Sequence, residues 1–158
     1  MNNWKVILVA DDDENDVFFL RRAFTKSGFL HTIIHVSDGQ KAIDYLLGTG
    51  AYIDRNANPF PDLLLLDLKM PKADGFDVLA SLQSLPTLQL PVVVLSTSAL
   101  AVDIQMAKKL GALDYVVKPA DHDEMMKVVL NLHERFLSEA VGRITEPAQP
   151  VAMQKRRI

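Results

Sequence analysis

The chain contains no cysteine among its 158 residues. This absence excludes disulfide bonds, catalysis by a thiolate and zinc sites built from cysteine ligands. The four histidines do not compensate for it, because they are scattered without the spacing of a metal-binding motif. They are His31, His35, His122 and His133.

The sequence also lacks segments that would direct it into or across a membrane. The N-terminus, Met1–Lys5, has no charged region followed by a long apolar stretch, so no secretory signal is visible. No apolar run approaches the ~20 residues that span a bilayer. The net charge of −3 gives no global attraction to nucleic acid or to an acidic membrane. A soluble cytoplasmic protein is the simplest interpretation.

Short apolar runs alternate with amphipathic segments, and 49% of the residues are hydrophobic, enough for a substantial core. The apolar runs predict five strands: Lys5–Ala10, Thr32–Val36, Leu63–Leu66, Val92–Leu95 and Asp114–Val117. The amphipathic segments predict five helices: Asn15–Lys26, Gly39–Leu47, Gly75–Leu82, Ser98–Leu110 and Asp121–Ala140. This alternation predicts a parallel sheet with right-handed crossovers and with helices on both faces.

The predicted elements form one domain, residues 1–140, with no internal repeat. Residues 141–158 form a mobile C-terminal tail in this interpretation, because they have too little apolar content to pack alone. About twenty residues after the last helix are too few for an output domain. The long connection Gly48–Phe60 is rich in Gly, Asn and Pro, and connections of this length can carry a specific contact surface.

The most informative position is Asp67, which follows the wholly apolar strand Leu63–Leu66. Four consecutive leucines predict a strand buried on both faces, as in parallel sheets covered by helices. Such a strand needs no charge for its own stability, so the carboxylate at its end indicates a site. Ligands of open α/β sheets bind outside the carboxyl ends of the strands.

Asp11-Asp12-Asp13 follow the first strand in the same way. In a doubly wound sheet the first strand commonly lies beside the third, so Asp11, Asp12 and Asp67 can share one pocket. Like charges packed this closely repel, and a hard divalent cation such as Mg²⁺ removes the repulsion. The alternative is that the three acids merely cap the next helix, since Asp favours helix N-termini. The placement of Asp67 favours the metal site.

Three other polar residues are predicted at or near this edge. Lys118 follows the fifth strand and can hold a carboxylate or a phosphoryl oxygen, although an ordinary exposed loop lysine is the alternative. Ser96 ends the fourth strand and can donate to a phosphoryl oxygen or cap a helix. Tyr115 lies within the fifth strand, where packing is an equally good interpretation. The Lys118-Pro119 bond has access to both isomers.

These residues together resemble the receiver domain of two-component response regulators. The individual pieces are unspecific, but their order and spacing from about residue 5 to 138 match the family. The matching pieces are Asp11-Asp12, Asp67-Leu68-Lys69-Met70-Pro71, Asp74-Gly75, Ser96, Gly111-Ala112, Tyr115 and Lys118-Pro119.

The resemblance implies a flavodoxin-like α/β fold with five helices and a doubly wound, five-stranded parallel sheet in the order 2-1-3-4-5. It also implies that a sensor histidine kinase phosphorylates Asp67, with Mg²⁺ or Mn²⁺ as cofactor. Asp12 and Asp67 would then ligate the metal directly, Asp11 would act through a metal-bound water, and Lys69 would contribute its backbone carbonyl. In the same family pattern Lys118 binds the phosphoryl group.

Ser96 and Tyr115 would form the switch pair of this family. The family often has Thr at the position of Ser96, but the hydroxyl is retained here. Ser96 would move toward the phosphoryl group and vacate space for Tyr115, which is a population shift between two packings. The chain would catalyse only its own phosphoryl transfer and dephosphorylation, so it is not expected to be an enzyme in any other sense.

Without an output domain, the chain resembles a single-domain response regulator that signals through a protein partner, which the sequence does not identify. The Gly48–Phe60 connection, the segment Leu95–Ser98 and the tail resemble the subgroup that partners phytochrome-type histidine kinases. A face formed by the fourth helix, fifth strand and fifth helix often mediates homodimerisation in that subgroup. The candidates for this face, which have core packing as an alternative role, are Val102, Met106, Tyr115 and Met126.

Four rival interpretations fit less well. A haloacid-dehalogenase-like phosphatase places a second acid two residues after its nucleophile, whereas Leu68 and Lys69 follow Asp67 here. A Rossmann nucleotide-binding domain needs a Gly-rich turn after the first strand, where this chain has acids. A phosphate-independent receiver-fold interaction module is disfavoured by the intact acids and lysine. Nucleic-acid binding would depend on the basic segment 155–157 alone, so no direct DNA binding is expected.

Overall fold

The computed structural model describes residues 3–138. Its five strands are β1 (Val6–Ala10), β2 (Thr32–Val36), β3 (Leu63–Leu66), β4 (Val92–Ser96) and β5 (Asp114–Val117). Its five helices are α1 (Glu14–Lys26), α2 (Gly39–Leu47), α3 (Gly75–Gln83), α4 (Ala101–Lys109) and α5 (His122–Leu132). The strands form one parallel sheet in the order β2-β1-β3-β4-β5, so the predicted fold is confirmed. The predicted tail, residues 141–158, lies outside the described residues.

The sheet is buried between two helical layers because successive side chains of a strand point to opposite faces. Leu64 and Leu66 of β3 pack with apolar residues of α2, α3 and α4. Leu63 and Leu65 pack with residues of α1 and α5 on the other face. Burying one leucine side chain stabilises a fold by about 1.5–3 kcal/mol, so this strand contributes strongly to both cores.

Aspartates begin most of the helices. Asp13 caps α1 and Asp38 caps α2 through hydrogen bonds from backbone N–H groups, as Asp does at helix N-termini. Asp74 and Asp77 form a reciprocal capping box at the start of α3. Only Asp13 of the acidic triplet is the N-cap residue of α1, so capping does not account for Asp11 and Asp12.

Two helix boundaries differ from the prediction. Ser98 does not cap α4, because its hydroxyl accepts from Leu100 N–H at 3.3 Å and donates to Asp103 at 2.6 Å, and the helix begins only at Ala101. The predicted fifth helix is not uniform, because α5 ends at Leu132 and a π-helical segment, His133–Leu137, follows. Both differences depend on hydrogen bonds that apolar periodicity does not report.

The connection between α2 and β3 is organised by Arg55. The guanidinium donates to the carbonyls of Tyr45 at 2.7 Å, Leu46 at 2.8 Å and Asn58 at 3.1 Å. It thereby adds hydrogen bonds to carbonyl groups in the last turn of α2, where the Tyr45 carbonyl also accepts from Gly48 N–H at 3.2 Å. The connection leads into the start of β3, but it also extends toward the other edge of the sheet, since its Tyr52 lines a pocket with Asp12 and His35.

Gly75 allows α3 to begin directly against the end of β3. Its backbone N–H donates to the carbonyl of Leu68 at 2.8 Å. A β-carbon at this position would lie 2.4 Å from the carbonyl oxygen of Asp67 and 2.8 Å from the Cα of Leu68. The absence of a side chain therefore lets the helix approach the residue that carries the key carboxylate.

Substituting Gly75 with alanine should destabilise the protein, by about 1–3 kcal/mol, the usual cost of inserting atoms into packed structure. This sign is opposite to that of an ordinary helical glycine, where alanine gains roughly 0.5–1 kcal/mol. Urea unfolding of Gly75→Ala measures the change. An unchanged or increased free energy of unfolding would contradict the close approach.

Two histidines are hydrogen-bonded at the amino edge of the sheet. Lys5 N–H donates to Nδ1 of His31 at 2.9 Å, so the neutral His31 ring carries its proton on Nε2. That nitrogen lies 2.9 Å from Nδ1 of His133, which is therefore the acceptor. Phe29 stacks on the His133 ring at a centroid distance of 3.8 Å. Burial, together with the neighbouring His133, lowers the pKa of His31 to about 4.

Acidification should therefore weaken the fold through His31. Its folded-state pKa lies below the ordinary value of 6.5, so its contribution is complete above pH 6.5 and is lost as the pH falls toward 4. The loss from this group is roughly 2 kcal/mol at pH 5. Urea unfolding at pH 7 and pH 5 should show a smaller pH effect in His31→Gln than in the wild type.

The exposed His122 provides the matched control for this experiment. His122→Gln should retain the full pH effect, because this variant leaves the pair of His31 and His133 intact. Equal pH effects in the wild type and in His31→Gln would show that the buried pair does not control acid stability.

Candidate functional site

The carboxyl edge of the sheet brings together side chains from three strand ends and one helix. The Nζ atom of Lys118, which follows β5, lies 2.8 Å from Asp11 Oδ2 and 3.1 Å from Asp67 Oδ2. It also lies 2.7 Å from Oδ2 of Asp16, in the first turn of α1. Lys118 therefore reaches past the end of β4 to join acids that follow β1 and β3, and it is not an ordinary exposed loop lysine.

This lysine stays charged although it is buried. Burial disfavours the ammonium, but hydrogen bonds to Asp11 and Asp16 raise the pKa of Lys118 above its ordinary value. Burial also raises the pKa of the Asp11 carboxyl, and the lysine opposes that effect. Three carboxylates around one ammonium leave an excess of negative charge in a cleft, which favours binding of a cation.

The backbone holds the two buried acids in place. Asp11 N–H donates to the carbonyl of Val36 at 3.1 Å, and Asp67 N–H donates to that of Ala10 at 2.9 Å. These bonds continue the sheet ladder one residue beyond the strands. His35 Nε2 donates to the carbonyl of Asp11 at 2.7 Å. The positions of both carboxylates therefore follow from strand register rather than from a loop.

The predicted metal ligands include a compact set of carboxylates. Asp11, Asp12 and Asp67 each offer one oxygen, and these oxygens lie within 4.8 Å of one another. Oxygen donors of this kind suit Mg²⁺ or Mn²⁺, which bind a few carboxylates and complete their shell with water. Asp11 and Asp67 are buried whereas Asp12 is exposed, so the set opens to solvent on one side. Lys69 lies two residues beyond Asp67 at the same edge.

Ser96 and Tyr115 are linked through a shared neighbour. Ser96 is buried at the end of β4, and its hydroxyl oxygen accepts from Ser98 N–H at 3.2 Å. The hydroxyl of Tyr115 donates to the Ser98 carbonyl at 2.8 Å. Lys118 N–H donates to the Ser96 carbonyl at 2.7 Å, and the Lys118-Pro119 bond is trans. Backbone contacts thus connect the candidate switch residues with the lysine.

Asp16 is the site residue that the sequence did not reveal. It lies three residues after the N-cap Asp13, where acidic residues are common because they complement the helix dipole. Asp16 follows Asp11 closely in the sequence, which could have suggested that both side chains lie at the carboxyl edge of the sheet. That signal does not separate a site residue from an ordinary first-turn acid, and only the contact with Lys118 does so.

Comparisons with known proteins agree with this geometry. A family model of the response regulator receiver domain matches residues 7–130. Response regulator Rcp1 of Synechocystis sp. is 35% identical over 138 residues, which cover 87% of this chain and 91% of the relative. No helix among residues 3–138 is long and apolar enough to cross a membrane.

Two solved structures are similar over most of their length. The phosphorylated cyanobacterial phytochrome response regulator RcpA has a TM-score of 0.78 at 37% identity, covering 87% of this chain and 96% of RcpA. The Mn²⁺-bound form of Rcp1 has a TM-score of 0.72 at 34% identity, covering 82% of this chain and 92% of the other.

These relatives confirm the resemblance found in the sequence, including the resemblance to phytochrome response regulators. The family model spans most of the chain, and the acidic cluster has the ligand chemistry of a receiver's Mg²⁺ or Mn²⁺ site. The chain belongs to the receiver-domain family of response regulators.

Proposed function

We propose that the chain is a cytoplasmic, single-domain response regulator that accepts a phosphoryl group on Asp67. The observation that carries this proposal is the buried contact of Lys118 with Asp67 and Asp11, beside the exposed Asp12. This arrangement supplies a nucleophilic carboxylate, a fixed ammonium and a set of hard-cation ligands in one cleft. Residues 1–140 form the proposed receiver unit.

In the proposed reaction, a carboxylate oxygen of Asp67 forms a bond to phosphorus and the bond from phosphorus to the donor's imidazole nitrogen breaks. The electron pair of that bond leaves with the imidazole. Lys118 holds a phosphoryl oxygen and neutralises charge, which is the main requirement of phosphoryl transfer. Water later cleaves the acyl phosphate, so the chain returns to its starting state without acting on another substrate.

A divalent cation, Mg²⁺ or Mn²⁺, would supply further positive charge to the phosphoryl oxygens. We assign its direct ligands to Asp12, Asp67 and the carbonyl of Lys69, with Asp11 acting through water. The fit rests on the oxygen chemistry of the acidic cluster.

The switch in this proposal begins at Ser96. Its hydroxyl oxygen accepts from Ser98 N–H at 3.2 Å, and its O–H can still donate to a charged phosphoryl oxygen, which would draw the side chain toward Asp67. Motion of the segment around Ser98 would then release Tyr115, whose hydroxyl is bonded to the Ser98 carbonyl. The face near α4 and β5 would change shape and meet a protein partner.

The proposed phosphodonor is a sensor histidine kinase of the phytochrome type. Support comes from the similarity to RcpA, which is described as a phytochrome response regulator. The competing interpretation, a receiver fold that no longer takes phosphate, requires that the cleft with Asp67 and Lys118 serve only as a structural ion-pair network.

Incubation with acetyl phosphate and Mg²⁺ should add one phosphate to the wild type, and intact-mass spectrometry detects it. Asp67→Asn should abolish the adduct because the amide is a poor nucleophile, and EDTA should abolish it because it removes the cation. Asp62→Asn is the matched control, since it removes one charge at the amino end of the same strand, where the Asp62 carboxylate accepts from Val6 N–H at 2.8 Å and does not contact Lys118.

The control Asp62→Asn should form the adduct like the wild type. If the wild type forms no adduct and binds no beryllofluoride while remaining folded, the phosphate-independent module becomes the better interpretation.

We also propose that phosphorylation promotes homodimerisation through the face of α4, β5 and α5. Val102 and Met106 of α4 are exposed apolar residues on this face, 64% and 44% accessible. Tyr115 is half-buried and forms part of the link to Ser98. Met126 instead packs partly against the core next to α1, where its sulfur accepts a hydrogen bond from Ser27.

Val102→Glu should lower the dimer fraction measured by sedimentation velocity with Mg²⁺ and beryllofluoride, because a charge at an apolar contact is costly to bury. Leu30→Glu is the matched control, since Leu30 is equally exposed, at 64%, between α1 and β2. Equal dimer fractions in both variants would place the dimer contact elsewhere.

A further inference from the structure

The ammonium of Lys118 is surrounded by three carboxylates in this structure. A lysine ammonium has three N–H groups. Three carboxylate oxygens lie within bonding distance of Nζ, from Asp16 at 2.7 Å, Asp11 at 2.8 Å and Asp67 at 3.1 Å. A phosphoryl oxygen that binds to Lys118 must therefore replace or share one of these partners.

The three carboxylates differ in their other partners. Asp11 and Asp67 belong with Asp12 to the oxygen set of the candidate metal site, so a bound cation gives them a second positive neighbour. Asp16 is not in that set, and Lys118 is its only ion-pair partner among residues 3–138. Asp16 is thus the carboxylate whose ion pair with Lys118 a bound cation would weaken least.

Asp16 lies in the first turn of α1, at the solvent side of the cleft. Its backbone N–H lies 3.4 Å from Oδ1 of Asp13, the N-cap residue of α1. Its side chain remains 33% accessible, whereas that of Lys118 is 7% accessible. An incoming phosphoryl group, with a charge of roughly −1.5 to −2, would therefore meet a negative charge that is already paired with the lysine.

We propose that Asp16 is a positioning residue that restrains Lys118 and competes with the phosphoryl group for its ammonium. This inference rests on the proposed function of Asp67. Asp16 holds the lysine in the cleft before phosphorylation, and the same contact lowers the affinity of the site for a phosphoryl-like anion. The resting contact thus sets how readily the site accepts and retains the group.

The test is the dissociation constant of beryllofluoride, an anionic mimic of the phosphoryl group, measured by ¹⁹F NMR at saturating Mg²⁺. Asp16→Asn should bind it about threefold to tenfold more tightly, because one competing charge next to Lys118 is removed. Asp16→Glu, which retains the charge, should bind like the wild type. Asp16→Ala is a second variant in which the acceptor is absent, and it should also bind more tightly.

Glu14→Gln is the matched control, since Glu14 is exposed in the same turn of α1 and forms no ion pair within the described part of the chain. Its affinity should equal that of the wild type if the direct contact matters rather than the general charge of the turn. In Asp16→Asn, the concentration of acetyl phosphate that gives half-maximal labelling should fall by a similar factor. A merely structural role would lower thermal stability without tightening anion binding.

The outcomes separate this inference from the proposed function. If the wild type binds beryllofluoride but Asp16→Asn and Asp16→Ala bind it equally or more weakly, the role of Asp16 is wrong and Asp67 remains the acceptor. The role of Asp16 is also wrong if Glu14→Gln shows the same gain. If the wild type does not bind beryllofluoride, the proposed function fails and the inference fails with it.

Discussion

The buried ammonium of Lys118 is the interaction on which the carboxyl edge of the sheet depends. It contacts acids that follow β1 and β3 and a third acid on α1, so it draws four elements together at one point. Without this cation, the buried carboxylates of Asp11 and Asp67 would repel each other. The same contacts keep the lysine charged, so they determine both the stability of the cleft and the charge that an incoming anion would meet.

The amino edge and the carboxyl edge of the sheet differ in how their polar groups are paired. The amino edge carries hydrogen-bonded groups, such as the rings of His31 and His133 and the guanidinium of Arg55 on the carbonyls of α2. The carboxyl edge carries an excess of acids in an open cleft and a buried hydroxyl at Ser96. The first edge stabilises the fold, and the second retains more negative charge than Lys118 neutralises.

Much of the fold was predictable because its strands are unambiguous. The run Leu63–Leu66 has no polar residue, so it fits only a strand buried on both faces, and the acids after β1 and β3 then meet because those strands are neighbours. The start of α4 was not predictable, since it depends on the local bonds of Ser98. Asp16 escaped notice because a first-turn acid looks the same whether it faces water or a lysine.

The function proposed for the cleft requires that Asp11, Asp12 and Asp67 hold a divalent cation and that Asp67 takes the phosphoryl group beside Lys118. Anomalous diffraction from crystals grown with Mn²⁺ and beryllofluoride tests it most directly. We expect Mn²⁺ among Asp11, Asp12 and Asp67, with the beryllium atom bonded to a carboxylate oxygen of Asp67 and a fluorine atom next to Lys118 Nζ. Mn²⁺ bound at another place would contradict the proposed metal site. Absence of beryllofluoride from Asp67, with Lys118 still in contact with all three carboxylates, would contradict the proposed phosphoryl site.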